Sequence, residues 1–129
     1  MLDCHRWFTF SSQSGIASFN QVSHGLNTYP DRVQVLVKQN DASLNNYGFI
    51  FEGMGSAQID DDANIEHGGV VFGYDNVYVR LWAPDQSDHY SGGRVISVWD
   101  GWGGEVNAVE ASTAQVKVLA WTECDDCPL

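Results

Sequence analysis

Gly68-Gly69-Val70-Val71-Phe72-Gly73-Tyr74-Asp75-Asn76-Val77-Tyr78-Val79-Arg80-Leu81-Trp82 is the stretch that decides the fold of this chain. Two runs rich in β-branched and aromatic residues flank Gly73-Tyr74-Asp75-Asn76, a hairpin-turn composition. In the second run Val77, Val79 and Leu81 lie on one face, and Tyr78, Arg80 and Trp82 on the other. That period of two belongs to a half-buried strand. Pro84 ends the run, because proline cannot donate to a sheet ladder.

The same grammar extends in both directions. Trp7-Phe8-Thr9-Phe10 and Ile16 to Val22 are predicted strands, as are Tyr47 to Phe51 and Arg94 to Trp99. Val33, Val35 and Val37 alternate with Arg32, Gln34 and Lys38 after Pro30, interrupted only by Leu36. Val116, Val118 and Ala120 alternate with Lys117, Leu119 and Trp121. Helical periodicity is nearly absent. The expectation is an all-β, antiparallel β-sandwich of about eight strands, spanning residues 1–129 as a single domain. Three long connections are expected at residues 52–67, 84–93 and 100–112, and long loops on a small sandwich are where function concentrates.

Composition narrows the function classes. The 129 residues carry 17 acids against 6 bases, a net charge of −11. Such a surface repels phosphate backbones and anionic lipid, which argues against nucleic acid as a partner and against membrane attachment. It leaves cations and neutral polar ligands, although the same charge also serves solubility. No apolar run reaches the ~18 residues of a membrane-spanning helix, and the first residues have no apolar core of a signal peptide. The three cysteines, Cys4, Cys124 and Cys127, lie at the two ends. Cys124-Asp125-Asp126-Cys127 has the spacing of a metal or redox half-site without a second pair, so disulfides are the favoured reading. One internal pair leaves an odd cysteine, which in a secreted chain points to an intermolecular bridge.

Two loops carry the candidate chemistry. Trp99-Asp100-Gly101-Trp102-Gly103-Gly104-Glu105 places two indoles beside two carboxylates, with Asn107 and Glu110 following. Trp102, between two glycines, suits stacking on the C–H face of a sugar while Asp100, Glu105 and Asn107 take hydroxyls. It also suits a lid folded back on the sandwich. Asp60-Asp61-Asp62 holds three adjacent acids that repel unless solvated or neutralised, and a hard cation such as Ca²⁺ takes carboxylate oxygens of this kind. A solvated acidic turn is the competing reading. Asp85 to Tyr90 mixes donors and acceptors as an ordinary surface loop does. His24 and His67, each beside glycine, fit turn positions, with His24 a further sugar-contact candidate. Carboxylate pairs for glycoside hydrolysis exist on paper, Asp100 with Glu105 or Glu52 with Asp60, yet no apolar setting that would raise a pKa surrounds them.

The order Phe10, Phe19, Pro30, then the alternating Val33, Val35 and Val37, and a closing strand from Val116 to Trp121, resembles the H-type agglutinins of snails. Gly53 to Asp62, Gly68-Gly69-Val70-Val71-Phe72 and Asp100-Gly101-Trp102-Gly103-Gly104 are similar to segments of the galactose-binding lectins of sea anemones. That second resemblance implies a secreted β-sandwich, not an enzyme. It also implies recognition of terminal galactose with help from Ca²⁺ as a cofactor, and a disulfide-linked homodimer. In such a dimer Cys127 would form the bridge and Cys4–Cys124 an internal pair. An extracellular adhesion module that binds protein partners is the second expectation, and a small glycan-active hydrolase the third. If Trp102 is the stacking platform, Trp102→Ala abolishes glycan binding on a lactose titration while the melting temperature stays nearly constant.

Overall fold

The computed structural model describes residues 2–3, 5–12, 19–54, 58–59, 67–84, 93–98 and 106–123. Those residues form an all-β fold with thirteen strands and no helix. Two four-stranded sheets make the body. The first, in the order β1-β3-β9-β8, contains β1 (Leu2–Asp3), β3 (Phe19–Ser23), β8 (Val71–Tyr74) and β9 (Tyr78–Trp82). The second, in the order β2-β13-β4-β5, contains β2 (Trp7–Ser11), β4 (Arg32–Gln39), β5 (Ile50–Glu52) and β13 (Thr113–Trp121).

The inner faces of the two sheets form one core. From the second sheet come Phe10, Val35, Val37, Ala114, Val116, Val118 and Ala120; from the first come Val22, Val79 and Leu81. Full burial of a valine or leucine stabilises by roughly 1.5–3 kcal/mol, so these alternating positions supply the main driving force. The register makes the faces coincide: Val116 lies opposite Phe8 on one side and Val37 on the other, and Val118 opposite Val35. Slipping any strand by one residue would turn this apolar set outward.

Two shorter ladders complete the pairing. The three-stranded sheet β10-β7-β6 holds β6 (Gln58–Ile59), β7 (His67–Gly68) and β10 (Gly93–Arg94), and a two-stranded sheet pairs β11 (Ile96–Val98) with β12 (Val109–Ala111). Gly68 is required there: a Cβ at this position would lie 2.6 Å from Ser97 Cβ and 2.9 Å from the Arg94 carbonyl oxygen.

Several expectations change in detail. The predicted run Gly68 to Phe72 divides between two sheets, and Arg94 to Trp99 divides into β10 and β11. The strand expected from Tyr47 begins only at Ile50, because Asn46 takes φ 65° and its carbonyl accepts the Phe49 N–H in a tight turn. Val77, grouped with Val79 and Leu81 on one face of the predicted strand, belongs instead to the hairpin turn and is exposed. Pairing is not wholly antiparallel: β1 runs parallel to β3, and β10 to β7. A parallel pair needs a crossover. For β1 and β3 that crossover is β2 in the opposite sheet, entered through His5 at φ 68°, whose N–H donates to the Val118 carbonyl at 2.7 Å.

One core position breaks the pattern. Gln39 ends the inward face of β4 at 3 % exposure, and among the described residues neither amide atom meets a hydrogen-bond partner. A buried polar group without a partner carries its full desolvation cost. Gln39→Met, which keeps volume and removes the polar atoms, is expected to raise the unfolding free energy by about 1 kcal/mol in denaturant titration; a loss of stability would show that the amide is satisfied after all.

Candidate functional site

The outward face of the β1-β3-β9-β8 sheet carries side chains that a structural role does not account for. Three rows cross it. Phe19 of β3 lies opposite Trp82 of β9, Gln21 opposite Arg80, and Ser23 opposite Tyr78. On the other side of β9, Val71 lies opposite Trp82 and Gly73 opposite Arg80. The row Gln21–Arg80–Gly73 therefore ends in a residue without a side chain. A Cβ on Gly73 would stand 3.8 Å from the Trp82 ring, so the glycine opens space beside the indole.

That space is a shallow hollow of about 210 Å³ lined by Trp82, Tyr78, Tyr74, Arg80, Gln21 and Asp75. The aromatic residues are well exposed, with Trp82 at 40 %, Tyr78 at 37 % and Tyr74 at 44 %. Phe19 extends the aromatic surface at 44 %. Arg80 is oriented by its neighbour: Nε and Nη2 both donate to Gln21 Oε1, at 2.9 and 2.6 Å. Its guanidinium carbon lies 5.8 Å from the Phe19 ring centroid and 6.0 Å from that of Trp82, within cation–π range.

The rim of the hollow is held by backbone hydrogen bonds. Asp75 Oδ1 accepts the N–H groups of Val77 at 2.8 Å and Tyr78 at 2.7 Å, and the Asp75 N–H donates to the Tyr78 carbonyl. These two N–H bonds, that from Tyr78 first, hold the Asp75 carboxyl below the usual carboxylate range. His24 braces the turn from behind. The Leu26 N–H donates to His24 Nδ1 at 3.1 Å, so Nε2 carries the proton and donates to the Asp75 carbonyl at 2.9 Å. The imidazole is 8 % exposed with both nitrogens committed to backbone. His24, named from the sequence as a sugar contact, is thus placed as a support of the hairpin beneath the hollow.

The outward face of the second sheet is built differently. Lys38 Nζ lies 4.2 Å and Lys117 Nζ 5.7 Å from the Trp7 ring centroid, and the Arg32 guanidinium carbon lies 5.0 Å from that of Trp121. Cations lie over those indoles as Arg80 lies near Trp82, but the Trp82 ring also borders open space.

Of the other sequence candidates, Asn107 is exposed ahead of β12, and its carbonyl accepts Asn46 Nδ2 at 2.8 Å. Asp100, Trp102, Glu105, Asp60, Asp61, Asp62, Cys4, Cys124 and Cys127 lie outside the described residues, as does the loop from Asp85 to Tyr90. Met54 and Val98 line one hollow of about 110 Å³ together with Phe51, Glu52, Val95 and Ser97. Among the described residues no group of three or more histidine, cysteine or acidic side chains gathers as a metal site would require.

Sequence reading separated Tyr78, Arg80 and Trp82 as one face of a strand without assigning them a role. The signal was present in that alternation, since three large side chains on an outward face invite a reason. The partners Gln21 and Gly73 carried no such signal.

Chemically, the hollow offers flat apolar surface at Trp82 and Tyr78, an acceptor at Asp75, and donors and acceptors at Arg80 and Gln21. Asp75 is the one carboxylate that lines it among the described residues. A lowered pKa keeps Asp75 ionised, which suits a hydrogen-bond acceptor. No protein-family model matches the chain, and no curated protein matches it in sequence.

Because the Asp75 pKa is lowered in the folded state, its contribution to stability is present above the ordinary carboxylate value of ~3.9 and is lost as pH falls through the lowered value. Asp75→Asn is therefore expected to melt below the wild type near pH 6. The difference should shrink once the pH drops below about 4, as followed by thermal denaturation.

Proposed function

We propose that this protein is a secreted, non-enzymatic carbohydrate-binding domain of lectin type, and that the outward face of β3, β9 and β8 holds the sugar. The observation that carries the reading is Trp82, exposed beside the side-chain-free Gly73 and ringed by Tyr78, Asp75 and Gln21. The apolar face of a pyranose would stack on the indole, and its hydroxyls would meet the Asp75 carboxylate and the Gln21 amide. The resemblance to sea-anemone lectins makes galactose-containing glycans the first ligands to test. In the same reading Ca²⁺ at Asp60, Asp61 and Asp62 supports binding, and a Cys127 bridge forms a homodimer whose two sites add avidity.

A second reading has its own observation. Tyr47, Phe49, Ile50 and Val106 are 56 %, 64 %, 51 % and 94 % exposed. Their loops are tied by Asn45 Nδ2 to the Ala108 carbonyl and by Asn46 Nδ2 to the Asn107 carbonyl, both at 2.8 Å. Apolar side chains on a braced surface suit a protein partner, as an adhesion module would present them.

Calorimetric titration of lactose, with Ca²⁺ and again with EDTA, tests the reading. The expected affinity is near millimolar, about −4 kcal/mol. Trp82→Ala should weaken it at least about tenfold with the melting temperature within a few degrees of wild type. Loss of binding in Trp102→Ala but not in Trp82→Ala would move the site to the loop. A requirement for Ca²⁺ would implicate the acidic triplet. No heat with lactose or on a glycan array would favour the adhesion module.

A further inference from the structure

We infer that the Trp82 hollow selects a saccharide carrying a single negative charge, a carboxylate or a sulfate ester, which Arg80 binds through its free guanidinium edge. The inference rests on the carbohydrate-binding reading above and deepens it by naming the ligand class.

Arg80 is one of only six basic residues in a chain of net charge −11. Three of the others, Arg32, Lys38 and Lys117, sit on the opposite sheet against Trp7 and Trp121. Arg80 stands in the hollow itself, and its side-chain hydrogen bonds go to a neutral acceptor, Gln21 Oε1. A guanidinium has five N–H donors in a fixed fork. Two of them, one on Nε and one on Nη2, are taken by Gln21. Among the described residues the hydrogens on Nη1 and the second one on Nη2 remain, and that edge matches two oxygens of a carboxylate or sulfate. The Gln21 bonds also fix the guanidinium plane before ligand arrives, which reduces the ordering cost of binding.

Two features define which anion fits. The aromatic walls, Trp82 and Tyr78, reward a ring with C–H surface and give nothing to a bare ion. The acidic remainder of the molecule, with Asp75 on the rim, penalises a densely charged polymer. The ligand that satisfies both is an acidic monosaccharide unit at the end of an otherwise neutral glycan.

The test compares methyl galactoside, galacturonate, galactose 6-sulfate and inorganic sulfate by calorimetric or NMR titration. The wild type should prefer at least one of the acidic sugars to the neutral one by about tenfold at low salt. That ratio should fall toward one in about 1 M salt, where charges are screened within ~3 Å. It should also fall toward one in Arg80→Gln and recover in part in Arg80→Lys. Asp75→Asn keeps an acceptor for the turn while removing the rim charge, so it should raise the ratio. A preference for galacturonate alone would assign a carboxylate, and one for the sulfated sugar alone a sulfate ester. Equal binding of neutral and acidic sugars, or an unchanged ratio in a folded Arg80→Gln, overturns this inference and leaves the carbohydrate reading standing. Inorganic sulfate binding as tightly as the acidic sugars overturns it as well, because the ring would then contribute nothing. No binding of any sugar overturns both.

Discussion

The strand from Thr113 to Trp121 is the constraint on which the rest of the structure depends. It pairs with β2 along one edge and β4 along the other, and so joins residues more than a hundred positions apart to residues from the middle of the chain. Its inward residues, Ala114, Val116, Val118 and Ala120, are small or β-branched, which lets Phe10 fill the space between the sheets. Because every second residue is committed to that core, register in the second sheet has one acceptable solution. The first sheet then takes its position from packing Val22, Val79 and Leu81 onto it.

The β8–β9 hairpin turns this core into a functional surface. Val79 and Leu81 anchor β9 from below, which forces Tyr78, Arg80 and Trp82 outward. Asp75 fixes the turn by accepting two backbone N–H groups, and His24 fixes Asp75 from β3's end by a bond to its carbonyl. A support this short-range leaves the hollow little freedom, so a ligand would meet an arrangement already formed.

The two outward faces show how the same residue types produce different surfaces. On the second sheet, the ammonium groups of Lys38 and Lys117 lie over Trp7, a way of covering an indole with groups that still reach water. On the first sheet, the cross-strand neighbour of Arg80 is Gly73, and the indole of Trp82 borders a gap. Aromatic content alone does not distinguish a covered tryptophan from an available one. The space that Gly73 leaves beside the ring does.

By itself the sequence determined what depends on local period and composition. Alternation in 32–38, 77–82 and 115–121 specified strands, their two faces and an all-β fold, and the excess of acids specified the charge. Several boundaries followed from turn chemistry that single residues conceal, such as the positive φ of Asn46 that shortens β5. Only the tertiary structure decided that Gln21, Gly73 and Arg80 stand in one row, and that His24 is spent on backbone. Strand pairing explains the division: a period of two tells which side chains share a face of one strand. The neighbour of that strand, and its register, are set by burial across the whole sandwich, and a site shared by three strands exists only once that burial is satisfied.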